Sequence, residues 1–128
     1  MLKLNLVFIL FLLLVSCEKS TTVAFKIKNI SASPIIVSGH DLIHNWAIQD
    51  TILVGEEKQL SMWTKFGKDL NYFLPVTIFG DDLLVLNTQG DTLKKDYKNL
   101  DNWHINIDEE RTVAIHNYFL EIQTVDFN

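Results

Sequence analysis

The strongest constraint on the fold is an alternation with a period of two. From Val23 on, Val23, Phe25 and Ile27 interleave with Ala24, Lys26 and Lys28. That spacing suits a strand with one buried face, because successive strand side chains point to opposite sides. Similar short runs recur along the chain. They predict strands at Ile35–Val37, Thr51–Val54, Lys58–Trp63, Asn71–Phe79, Leu83–Asn87, Thr92–Lys95, Trp103–Ile107 and Thr112–Val125. Gly39, Gly55, Gly67, Gly80 and Gly90 punctuate these runs. Residues 55–57, 87–91 and 108–111 have the composition of hairpin turns. Of the 112 residues from Cys17 on, 40 are Val, Ile, Thr, Phe, Tyr or Trp and only four are Ala, which favours pleated surfaces over helices. Helix is plausible only around Asp41–Gln49 and Lys95–Asp101.

Seven or eight short strands over residues 23–128 predict an all-β domain. The expected architecture is an antiparallel β-sandwich of immunoglobulin-like type, with a transthyretin-like sandwich or a small barrel as alternatives. Two positions are harder to place. Trp63 falls on the side opposite Leu60 and Met62, which suggests an exposed or edge position. Thr112–Val125 is long for a strand and its apolar face switches, which suggests a bulge. Phe127 is expected to tuck into the end of the sandwich.

The N-terminal block has a different character. Residues 1–16 hold 13 apolar side chains, with Lys3 as the only charge and an unbroken apolar run from Leu6 to Val15. A membrane-spanning helix needs about 20 such residues. This run fits instead the apolar core of a secretory signal behind a one-charge start. It ends on Leu14-Val15-Ser16-Cys17, followed by the polar stretch Glu18–Thr22, which reads as a tether.

The sequence Leu14-Val15-Ser16-Cys17 resembles the lipobox of bacterial lipoproteins. The resemblance covers residues 1–17 alone. It implies a diacylglycerol on the Cys17 sulfur, cleavage between Ser16 and Cys17, and acylation of the new amino group in most Gram-negative cases. The small Ser16 fits the peptidase, and the Cys17 thiol is the alkylated nucleophile. Partnership with a membrane through the N-terminal lipid follows. An Asp after the cysteine is the usual inner-membrane retention signal in enterobacteria. Glu18 stands there instead, which points to a lipid-anchored place in the outer membrane. The expected orientation faces the periplasm, with the cell surface as the alternative. The mature domain resembles small immunoglobulin-like envelope lipoproteins.

Other chemistry has little to rest on. The whole chain of 128 residues carries 11 Lys+Arg against 16 Asp+Glu, and no basic block suggests nucleic-acid binding. Its single cysteine excludes an internal disulfide and a multi-cysteine zinc site. There is no G-x-S-x-G elbow, no G-x-G-x-x-G and no P-loop, so neither catalysis nor a cofactor is expected. The turn acids Asp81, Asp82, Asp91 and Asp108–Glu110 match no calcium loop. His40 and His44 would share a face only if the segment were helical, the condition for a two-histidine metal site. In an extended chain they lie roughly 13 Å apart. His104 and His116, on the arms of the last hairpin, read as surface strand residues. His40, His44 and Trp46 together mark the first place to look for a binding patch. The expected function is a non-catalytic binding or structural module with an envelope protein or glycan partner. A component of a secretion or transport assembly is one alternative, and a metal-binding protein using His40 and His44 is the other.

Overall fold

The computed structural model describes residues 18–128; the expected signal segment 1–16, with its expected cleavage residue Ser16, and Cys17, the expected site of lipidation, lie outside the described residues. Seven strands form two sheets. They are β1 (Ser20–Asn29), β2 (Ile35–Asp41), β3 (Trp46–Ile52), β4 (Glu57–Phe66), β5 (Leu84–Asn87), β6 (His104–Glu109) and β7 (Val113–Ile122). One sheet has the order β4-β1-β7-β6 and the other β3-β2-β5, packed as a sandwich and not closed into a barrel. Neighbours run antiparallel except β1 and β7, which are parallel over ten residue pairs from Ser20↔Val113 to Asn29↔Ile122. The chain crosses between layers at its first turn, so β1 and β2 lie in opposite sheets. In the constant-type immunoglobulin order the first two strands share one.

The core follows from the period of two. Val23, Phe25 and Ile27 from β1 meet Ile35, Val37, Ile48 and Ile52 from the second sheet. Phe25 sits at the centre. Its ring stacks on Tyr118 at 4.3 Å and meets Trp103 and Phe79 edge-on at 5.3 and 5.7 Å. Burying rings of this size contributes most of the apolar driving force of a small domain. Phe127 is buried within a 3-10 turn (Thr124–Phe127) at the chain end, as expected.

Several expectations need correction. Asn71–Phe79 is not a strand. It is a loop followed by a short helix, α1 (Pro75–Phe79), with Pro75 in its first turn and Pro75, Ile78 and Phe79 buried. That i, i+3, i+4 spacing is helical, and Pro75 has no N–H to give a ladder. Asp41–Gln49 is no helix but the tip of the β2–β3 hairpin, and Thr92–Lys95 reduces to one bridge, Leu86↔Thr92. The other helical candidate region, Lys95–Asp101, is helical only where its end enters the 3-10 turn Leu100–Asn102. The turn at 53–56 carries the chain from one sheet to the other and closes no hairpin. Ser20–Thr22, read as tether, already belong to β1. Thr21 is fully buried, with its hydroxyl donating to the Gly67 carbonyl and accepting from the Asp69 N–H.

The bulge lies in β4 and not in the last strand. Phe25 pairs with Ser61 and Lys26 with Gln59, so Leu60 is the extra residue. It turns Leu60 and Ser61 inward together and leaves Met62 outside. Trp63 therefore lies on the same side as Leu60, half-buried and stacked on Phe25 at 6.1 Å. β7 keeps one face throughout: Ala114, His116, Tyr118, Leu120 and Ile122 are all buried. His116 is consequently a core residue. Its Nε2–H donates to the Asp69 carbonyl at 2.6 Å, which ties the 67–74 loop down over the sheet. His104 pairs with Phe119 and Ile107 with His116, so the two histidines lie on opposite faces and do not meet.

Candidate functional site: the tip of the β2–β3 hairpin

The tip is built by one carboxylate. Asp41 ends β2 and is fully buried. Its Oδ1 accepts from the Ile43 N–H at 2.9 Å and the His44 N–H at 3.2 Å, an Asp-capped turn. Asn45, with φ 56°, supplies the left-handed residue that returns the chain to β3. The Leu42 N–H donates to the Ile78 carbonyl at 2.8 Å, fixing the tip to α1. Gly39 permits the approach of the next loop, because a Cβ there would lie 3.1 Å from the Leu83 Cα and 3.2 Å from the Asp82 carbonyl oxygen.

The second oxygen of Asp41 holds His44. Oδ2 lies 2.7 Å from His44 Nδ1. Burial alone would raise the Asp41 carboxyl. The Ser61 hydroxyl, the His44 ring and the backbone N–H groups of His44 and Ile43 outweigh it and hold the group below the usual carboxylate range. An ionised carboxylate only accepts, so Nδ1 carries the proton of this hydrogen bond. Ser61 Oγ, though it biases Asp41 towards ionisation, forms no hydrogen bond of good geometry.

His44 in turn holds Trp46. The two rings stack at 4.4 Å and 10°. Trp46 is 53% exposed, while the His44 side chain is 27% exposed. The result is a chain of support from a buried carboxylate, through an oriented imidazole, to an indole facing solvent. Fixing such a side chain in advance lowers the ordering cost of a contact made through it.

Of the expected patch, the structure brings together His44 and Trp46. His40 pairs with Ala47 and alternates with buried Asp41, so it lies on the outer face of the sheet and takes no part. The helical condition for a His40–His44 metal pair is not met. Among the described residues, no group of three His, Cys, Asp or Glu side chains is placed to hold a metal ion. The residue that sequence reading undervalued is Asp41. Its signal was present, since Asp41 follows a β-branched run and stands four residues before Asn45, a composition that suits a side-chain-capped hairpin turn.

Fold and site together define a β-sandwich with a rigid aromatic tip. No family model matches the chain, and no curated protein or solved structure is significantly similar to it.

Proposed function

We propose that this chain is an envelope lipoprotein, cleaved between Ser16 and Cys17, acylated on Cys17 and anchored in the outer membrane. Its sandwich is a non-catalytic binding or structural module. The observation that carries this is the Leu6–Val15 apolar run ending in Leu14-Val15-Ser16-Cys17. A core strand begins only three residues later, at Ser20. Two or more acyl chains give stable anchoring where one is marginal. No helix among the described residues is long and apolar enough to cross a membrane, so the lipid is the anchor this reading relies on.

The partner contact in this reading is the hairpin tip. An exposed indole seated on an oriented imidazole suits an apolar ring face, from a protein side chain or a sugar. Expression in a Gram-negative host tests the anchor. The expected N-terminal peptide begins at acylated Cys17, and Cys17→Ala moves the protein out of the membrane fraction. An intact Met1 N-terminus, or an alanine variant that stays with the membrane, overturns it. For the tip, Trp46→Ala is expected to remove cross-links to envelope components while leaving the fold intact.

A further inference from the structure

The end of the sandwich at which β1 begins has an unusual surface. Phe66 ends β4 directly opposite Ser20 and is 88% exposed. The loop that follows exposes Leu70, Tyr72 and Leu74, with Tyr72 at 62%. Four large apolar side chains within nine residues are thus turned to solvent. The loop is held rigidly. The Gly67 N–H donates to the Lys19 carbonyl at 2.8 Å. The Asp69 N–H donates to the Thr21 hydroxyl, the Asp69 carbonyl accepts from His116, and the Phe73 N–H donates to the Tyr118 hydroxyl at 2.8 Å. A segment anchored at three points to core strands and at a fourth to the residue before β1, yet apolar outward, is a surface suited to apolar contact.

The chain's own geometry says what that contact is. Only Glu18 and Lys19 separate Cys17 from Ser20, three steps along the chain with a reach of at most about 11 Å. We infer that this end of the domain lies on the lipid surface, with Phe66, Leu70, Tyr72 and Leu74 seated in the headgroup–acyl boundary. The inference rests on the anchored reading proposed above. With the acyl chains in the bilayer, that tether cannot lift Phe66 far from it, and interfacial residues sit only about 5–10 Å into the boundary. Tyr is at home there, with an apolar ring and a polar tip.

One observation narrows the alternatives. The charges at this end balance: Lys65 pairs with Asp69 at 2.6 Å and Lys68 with Glu109 at 2.6 Å, while Lys19 and Arg111 each follow a glutamate, Glu18 and Glu110, in the sequence. The contact is therefore apolar, and attraction to anionic lipid contributes little.

The test uses the lipidated protein, purified in detergent and reconstituted into phosphatidylethanolamine–phosphatidylglycerol vesicles. Acylation occupies the native thiol, so a single introduced cysteine takes a spin label. Labels are placed at Tyr72→Cys, at Phe66→Cys and, as a reference at the far end, at Val54→Cys. Expected is at least a fivefold preference for oxygen over a water-soluble nickel relaxant at 66 and 72, relative to 54, unchanged between 50 and 500 mM salt. Equal access at all three sites on an acylated protein overturns the surface contact and leaves the anchor standing. An unacylated N-terminal mass overturns the anchor, and this inference with it. An oxygen preference that disappears in high salt shows an electrostatic dock and also overturns the inference.

Discussion

Two aromatic stacks in this protein have opposite fates. Around Phe25, Tyr118 and Trp103 are sealed, and their polar atoms are matched inside the fold: Trp103 Nε1–H to the Tyr97 carbonyl at 2.7 Å, and the Tyr118 hydroxyl to the Phe73 N–H. At the hairpin tip, His44 and Trp46 stack just as closely, but the indole faces water. The same ring-on-ring geometry serves cohesion in one place and presentation in the other. The difference lies in what stands behind each stack. Behind Phe25 is the opposite sheet; behind His44 is a single buried carboxylate. The core stack should therefore respond to lost volume, and the tip stack to lost charge.

Substitution of Phe25 by Ala should have the largest effect, costing about 3–5 kcal/mol because four rings lose their common neighbour. Urea titration followed by tryptophan fluorescence reads this, and a loss under about 1 kcal/mol would show that the core does not centre on Phe25. Next is Asp41→Ala, expected to cost about 2–3 kcal/mol by orphaning two backbone N–H groups and the His44 ring. The charge dependence has a definite sign. Asp41 is held below its unfolded value, so its contribution is present above about pH 4 and is lost as pH falls through the folded value. Asp41→Asn should flatten the acid limb of a stability–pH curve; an unchanged limb would mean that another carboxylate dominates it. Tyr118→Phe should cost about 1 kcal/mol, leaving the Phe73 N–H without its acceptor. Faster amide exchange at Phe73 would mark the site of the loss. Smallest is Trp46→Ala, within about 0.5 kcal/mol of the parent, since an exposed ring contributes little to folding. A larger loss would place the indole among the residues that hold the fold.

The sequence revealed what local alternation encodes and hid what depends on a partner strand. β1 and β6 carry period-two patterns on their surface, and their inward residues follow from them. His116 could have been placed in the core from the same pattern, since it alternates with Ala114 and Tyr118; its polar ring argued against burial because its partner, the Asp69 carbonyl, is 47 residues away. Leu60 and Ser61 face inward together only because β1 imposes a bulge, and no local pattern announces one. The 70–79 segment misled because its aromatic and β-branched residues suit a strand, while Pro75 and the spacing of Ile78 and Phe79 already suit a turn of helix. At the tip, Trp46 and His44 were visible as an irregular patch. Their dependence on Asp41 required knowing that the chain turns there.

The parallel pairing of β1 with β7 has a mechanical consequence. Ser20 lies at one end of that ladder and Ile122, near the last residue, at the other. A pull that enters through the first strand and leaves through the last loads the two in opposite directions along their length. The ladder must then slide as a whole, its ten residue pairs sharing the load, and cannot peel open one at a time. A domain held at its N-terminus and tugged near its C-terminus is thus loaded along its stiffest axis.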